Sequence, residues 1–308
     1  MRCLRTSISK EMANPVLRRH PGVLRSSPCG PACVALIAVT LGGCSINLGS
    51  LTPSTSAEPE PARLTSQSNI GSLSETVKNN PNDPQAYNMR GAVLAQAGKT
   101  DEALADFNKA ISLDPNYGQA YANRGLIYRQ TRRLDQAMAD YERALSLDAN
   151  YAPAYLGRGL VYKARRQPQE ALADFNKAIA LAPDNAEAYY NRGLLYQGEK
   201  QHQYAIDDFP AANGLVPQQA EPLLARALSY LATDRAKEAA SDLDEAVQSD
   251  PQNAQAWLTR GLAYERLGDK SRAAGSYGRA INLRPKDEAA RTGFARVGGK
   301  PGQAYETF

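Results

Sequence analysis

The sequence predicts an all-α protein, a solenoid of paired helices, on three observations. Small, aromatic and proline positions recur every 34 residues from about residue 84 onward. Within each unit, apolar or aromatic residues stand at i, i+4 and i+7, the spacing of one helix face, as in Tyr121, Gly125 and Tyr128. A proline closes most units, where it stops one helix and suits the start of the next. One such unit cannot bury its own apolar faces, so units must stack and the ends of the stack need caps.

Before the array lies a different kind of sequence. The 308 residues carry a formal net charge of +4, but the excess is local. Residues 1–43 hold Arg2, Arg5, Lys10, Arg18, Arg19 and Arg25 against the acid Glu11, leaving 30 basic and 31 acidic residues in the remainder. The remainder is near neutral, which offers no footing for a nucleic-acid partner. All four cysteines (Cys3, Cys29, Cys33, Cys44) fall in the same stretch, so no disulfide or cysteine metal site can form beyond residue 44. The basic residues 1–31 are followed by the apolar run Ala32–Leu41. As a helix that run is about 15 Å long, half the hydrocarbon core of a bilayer, too short to span and suited to the apolar region of a secretory signal.

The run ends in Leu41-Gly42-Gly43-Cys44, which resembles the bacterial lipobox. The resemblance implies a signal peptide over residues 1–43, with Met1 or Met12 as the start, and a lipidated N-terminal Cys44. With Ser45 rather than Asp following, it also implies delivery to the outer membrane. Several acyl chains on one cysteine, palmitate among them, would anchor the protein stably where one chain would not. Residues 44–70 then read as a disordered linker: Ser45–Asn69 is rich in Ser, Thr, Pro and Glu and has no apolar periodicity. A flexible chain of that length reaches about 25–30 Å.

Six units follow. Gly91, Gly125, Gly159, Gly193 and Gly261 share one position, with Ala227 in the fifth unit. Four residues earlier stand Tyr87, Tyr121, Tyr155, Tyr189 and Trp257, with Leu223 in the fifth. A second helix is marked by Ala103, Ala137, Ala171, Ala205, Ala239 and Ala273, each followed four residues later by a large side chain: Phe107, Tyr141, Phe175, Phe209, Leu243 and Tyr277. Pro115, Pro183, Pro217, Pro251 and Pro285 close the units, with Ala149 the exception. In period, order and residue type this resembles the tetratricopeptide repeat (TPR), over residues 84–287. The resemblance implies an α-solenoid, a right-handed superhelix of helix-turn-helix repeats, at 84–117, 118–151, 152–185, 186–219, 220–253 and 254–287. Residues 71–83 are expected to form a partial capping helix, 288–299 a C-terminal capping helix, and 300–308 a frayed tail.

Two features go beyond the repeat consensus. An arginine precedes the small residue in every unit (Arg90, Arg124, Arg158, Arg192, Arg226, Arg260), and five units carry an aspartate on the second helix (Asp106, Asp140, Asp174, Asp208, Asp242), with Ser276 in the sixth. The arginines are either a ladder for an anionic ligand or structural partners of the aspartates, and the near-matching numbers favour pairing. Pairing within the unit leaves Arg260 over; pairing with the following unit leaves Arg90. The second feature is Pro210, inside the second helix of the fourth unit and followed by Asn213-Gly214, which predicts a break in that helix.

The TPR resemblance places partner binding on the face lined by first helices. Candidates one residue after the repeat aromatic are Asn88, Leu156 and Tyr190; five after it, Leu126, Leu160, Leu194, Leu228 and Leu262; eight after it, Arg129, Lys163 and Gln197. This leucine-lined groove with a partly basic rim would suit an apolar segment flanked by acids, although the leucines could equally pack against neighbouring helices. The carboxylate-clamp subfamily needs an Asn where this chain has Ala92 and Leu126, so a chaperone adaptor is disfavoured. No Walker loop, GxSxG elbow, HExxH or CxxC stands in the mature chain, and His202 is expected to be a solvated residue between helices. The expectation is a non-enzymatic scaffold without cofactor, metal or small-molecule substrate, anchored in the outer membrane and binding envelope proteins. It resembles the NlpI-like lipoproteins, adaptors for cell-wall hydrolases and proteases. A pilotin-like role in secretin or pilus assembly and a peptidoglycan-associated accessory role are the alternatives, and a homodimer remains open.

Overall fold

Fourteen α-helices and no strand occupy residues 67–217 and 219–302, the residues described by the computed structural model. The segments expected to be the signal peptide and the linker up to residue 66, Cys44 among them, and residues 303–308 of the expected tail lie outside the described residues. Helix α1 (Gln67–Asn79) starts before the bound drawn from the sequence and buries Ile70 and Val77. Six pairs follow: α2 (Pro84–Gln96) with α3 (Thr100–Leu113), α4 (Gly118–Gln130) with α5 (Leu134–Leu147), and α6 (Ala152–Ala164) with α7 (Pro168–Leu181). Then come α8 (Ala186–Gly198) with α9 (His202–Leu215), α10 (Ala220–Ala232) with α11 (Ala236–Ser249), and α12 (Ala254–Arg266) with α13 (Lys270–Leu283). Helix α14 (Glu288–Arg296) begins one period after α12 and closes the array as an unpaired first helix. Each first helix packs on its own second helix, each second helix on the next first helix, and successive first helices also touch, forming one continuous face. Among the described residues no helix is long and apolar enough to cross a membrane.

The small residue and the large ring are one device. A Cβ on Gly91 would lie 2.8 Å from the Phe107 ring, on Gly159 2.8 Å from Phe175, on Gly193 2.7 Å from Phe209, and on Gly261 2.6 Å from Tyr277. The glycine therefore sets how closely the two helices approach, and the ring fills the space at native density. The fifth unit, irregular as sequence, follows the same rule. Leu243 replaces the ring, Ala227 replaces the glycine, and both are fully buried, so a methyl group occupies volume the shorter side chain leaves open.

Both kinds of turn are built from local bonding. After every first helix the middle turn residue has positive φ: Gly98 75°, Arg132 60°, Arg166 58°, Lys200 59°, Asp234 57° and Gly268 79°. The next N–H then reaches back over the helix end, as from Lys99 to the Leu94 carbonyl at 2.9 Å and from Gln167 to the Tyr162 carbonyl at 3.0 Å, the Schellman closure. Side chains with a Cβ strain this conformation, by about 1 kcal/mol relative to glycine after the entropic cost of glycine is offset. Arg132→Gly, Arg166→Gly and Lys200→Gly, all at exposed positions, should therefore each raise the midpoint of urea unfolding. Between units, Asp114, Asp148 and Asp250 accept a bond from the N–H two residues on, at 2.9, 2.9 and 3.0 Å, and turn the chain into the next first helix.

The expected break at Pro210 does not occur. Helix α9 runs unbroken from His202 to Leu215. Pro210 sits on its exposed side while Phe209 and Ala212 stay buried on the other. The lost N–H bond thus falls on the solvent side, where the Ile206 carbonyl it would have served can be hydrated, and core packing holds the helix together. His202 is also placed differently from expectation. It is the first residue of α9 and half-buried, with its Nδ1 enclosed and without a hydrogen-bond partner among the described residues.

Candidate functional site on the first-helix face

The arginine ladder belongs to the scaffold. Arg90, Arg124, Arg158, Arg192 and Arg226 each send Nε and Nη2 to the aspartate of their own unit, at 2.6–2.8 Å. All five aspartates are buried. The forked pairing raises each of these guanidinium pKa values further, through the aspartate bond above all. Some arginines also reach back one unit: Arg124 Nη1 to Asn108 at 2.6 Å and Arg192 Nη1 to Asn176 at 2.7 Å. Pairing within the unit would leave Arg260 alone, since Ser276 stands where its aspartate should be. It pairs backward instead, Nε to Asp244 at 2.6 Å, while Nη1 donates to Ser276 at 2.8 Å. Every ladder arginine is thereby neutralised inside the protein, and the ladder is closed to an outside anion.

The groove candidates divide into two groups. Asn88 is buried and satisfied, donating to the Tyr117 hydroxyl at 3.1 Å and accepting from Asn123 at 2.9 Å. Leu156 is buried against Ala171 and Phe175. Gln197 ties α8 to α10, donating to the Ala225 carbonyl and Ser229 Oγ at 2.8 Å each. Half-buried Tyr190 leans on Phe209 with ring centroids 6.0 Å apart. These four hold the array together and present little surface. The position five residues after the repeat aromatic behaves otherwise: Leu126 and Leu228 are 36% and 39% exposed, and Leu160, Leu194 and Leu262 are half-buried. They form an accessible leucine stripe along successive first helices. At its C-terminal end, Leu228, Leu258, Leu262, Thr259, Tyr277 and Thr292 line a cavity of about 460 Å³ with largely apolar walls. Arg129 and Lys163 are half-buried beside the stripe.

Sequence reasoning missed one feature of this face. Tyr141 lies against Gly125 of its own unit and Gly157 of the next; a Cβ on Gly157 would stand 2.3 Å from its ring and 2.6 Å from its hydroxyl. Tyr277 is wedged in the same way against Gly261 and Gly293. The signal was present in the sequence. The two units with tyrosine on the second helix have glycine 16 residues later (Gly157, Gly293), whereas the Phe and Leu units have Asn123, Asn191, Ala225 and Thr259. Tyrosine is longer than phenylalanine by one hydroxyl, and only glycine lets that hydroxyl pass between adjacent first helices. The Tyr277 hydroxyl, once through, donates to Glu265 Oε2 at 2.6 Å. The Tyr141 hydroxyl comes out beside the Arg129 guanidinium; burial pushes its pKa up to about 12 and the arginine charge opposes the shift.

Among the described residues no group of three His, Cys, Asp or Glu could hold a metal ion.

Comparison with known proteins agrees with this geometry. Models of the tetratricopeptide repeat match residues 84–117, 107–139, 125–165, 167–199 and 224–288, more than half of the chain. The chain belongs to the TPR proteins, whose stacked helix pairs serve as scaffolds for protein–protein interaction. Among solved structures, a chain of the APC/C hetero-tetramer Cut9–Hcn1 is similar with a TM-score of 0.63 and 18% identity over 77% of this chain. The chain spans about half of that protein, 48% of its length. PilF of Pseudomonas aeruginosa is similar with a TM-score of 0.63 and 22% identity over 69% of this chain and 97% of its own. The type IV pilus biogenesis factor PilW gives 0.61 and 20% over 68% and 97%. At these identities the likeness is one of fold. A comparison with curated proteins returned no match.

Proposed function

We propose that the protein is an outer-membrane lipoprotein whose TPR solenoid captures a segment of an envelope protein along the leucine stripe. The observation that carries this reading is the exposure of Leu126 and Leu228 in register with Leu160, Leu194 and Leu262. A continuous apolar stripe is the surface that an amphipathic segment needs. The lipobox ending in Cys44 supports the anchor, and the polar linker behind it would confine a bound enzyme near the membrane at raised effective concentration. Cell-wall hydrolases and proteases are the partners this arrangement would serve, through binding alone and without catalysis of its own.

A photo-crosslinking residue at Leu126 or Leu228 in living cells, read by mass spectrometry, tests the surface. One dominant envelope protein is expected, and it should disappear with Leu126→Arg or Leu228→Arg, substitutions that an exposed position tolerates. Adducts confined to the second helices would overturn the groove. Labelled palmitate should enter the protein and be lost with Cys44→Ser. The pilotin-like alternative draws support from the shared fold with PilF and PilW, proteins of about this array's length; a secretin subunit as the dominant adduct would establish it instead.

A further inference from the structure

The two ends of the array are each half a unit. Helix α1 lies one period before α3, so it is a second helix without a first. Helix α14 lies one period after α12, so it is a first helix without a second. Joined, α14 of one copy and α1 of another would complete a further pair, stacked on its neighbours as every pair inside the chain is stacked.

The face of α14 is open where a second helix belongs. The small residue that receives the large side chain is buried in every unit: Gly91, Gly125, Gly159, Gly193, Ala227 and Gly261. One period further on stands Ala295, and it is exposed. Beside it, α13 and α14 border a cavity of about 530 Å³ lined in part by Ala274, Gly278, Ile281 and Phe294. Ala240, one period before Ala274, packs into one core cluster with Ala273 and Ala274 of the next second helix. The cavity therefore lies on the side of α13 that a following second helix would cover.

Helix α1 carries the matching residues. Leu73 stands at the position of Phe107 and Leu243, which are fully buried, yet is itself only half-buried. Leu73 against Ala295 repeats the fifth unit, where Leu243 and Ala227 pack together. The charges match as well. Phe294 stands at the ladder arginine position and Ser72 at the aspartate position, so both members of the ion pair are missing together and the junction buries no unpaired charge. Asn69 stands where the six second helices have alanine, of which Ala103 packs in one cluster with Leu94. Helix α14 has nine residues against thirteen in α12, and Gly298 replaces the residue at the Leu94 position, which leaves room for the longer side chain.

We propose that copies of this chain associate head to tail, α1 of one copy seated on α13 and α14 of the next, so that the solenoid continues across the junction. The contact joins two different surfaces and does not close on itself, so it builds open arrays rather than a symmetric dimer.

Sedimentation of the whole protein in detergent, over a range of concentration, tests this. A series of species growing beyond the dimer is expected. Ser72→Arg and Ala295→Arg change exposed residues, one at each end, and each alone should weaken association about tenfold or more. Mixing the two variants should restore a one-to-one pair, because each keeps the end that the other has lost. Monomer at every concentration, a dimer that grows no further, association that survives both substitutions, or failure of the mixed variants to pair would each overturn the proposal. Association that emerges only when residues 303–308 are removed would mean that those residues hold the seat, and would overturn a second copy there.

Discussion

Gly157→Ala is expected to lower stability by about 3 kcal/mol, far beyond the cost of an ordinary alanine in a helix. Alanine is the better helix former, so propensity alone predicts a gain of up to about 1 kcal/mol. Packing reverses the sign. The new methyl carbon would stand 2.3 Å from the Tyr141 ring, which is buried and held from the other side by Gly125 and so has no free direction of retreat. Over-packing of this kind forces backbone shifts costing about 1–3 kcal/mol or more. The same clash names its own suppressor. In the fifth unit Leu243 stands where Tyr141 does, and Thr259 where Gly157 does, with both fully buried or nearly so. Tyr141→Leu should thus cost about 2 kcal/mol alone, through the cavity it leaves, yet make Gly157→Ala nearly harmless. Urea unfolding of the two single variants and the double variant gives the coupling. A sum of independent effects would show that helices α4 and α6 are not spaced by this ring.

How much of the molecule could be read from its sequence follows from what the period constrains. Glycine, ring and proline recur because close approach, filling and termination are needed in every unit, so the helix pairs and their order were legible. Departures from the repeat were harder. Pro210 suggested a broken helix because a propensity has no knowledge of which side of the helix faces solvent; packing of Phe209 and Ala212 decides it. Arg260 looked unpaired because its partner, Asp244, lies at a position that carries Asn, Glu, Pro or Gly in the other units. Of the groove candidates, the position five residues after the aromatic is the accessible one, while Asn88, Leu156 and Gln197 serve the packing. A helix-face period cannot separate these, since both rows lie on the same helices and differ only in how the neighbouring unit covers them.

The Arg260 exchange leads to the second large effect. In the first five units the carboxylate lies 16 residues after the arginine, and in the sixth it lies 16 residues before, Asp244 rather than position 276. Arg260 is 2% exposed, stacked between Trp257 and Tyr264 at 5.5 and 4.8 Å from their ring centres. Asp244 also accepts from the Tyr264 hydroxyl at 2.7 Å, so one carboxylate serves two buried donors. Asp244→Asn keeps the shape and removes the charge, leaving a buried guanidinium without a counter-ion. Loss of one partner from a buried pair costs about 3–5 kcal/mol; because Asp244 is itself 37% exposed, about 2–3 kcal/mol is expected. Ser276→Asp should restore the pairing used by the other five units, at a buried site where five aspartates already stand elsewhere in the array. The combined variant, Asp244→Asn with Ser276→Asp, should recover most of the loss, whereas Ser276→Asp alone should gain little, since one arginine cannot fully neutralise two carboxylates. Thermal unfolding of the four proteins completes the cycle. Recovery would establish that the sixth unit has relocated its counter-charge to the preceding helix. Additive losses would mean that the backward pair and the Tyr264 bond hold the arginine in a geometry from which position 276 cannot be reached.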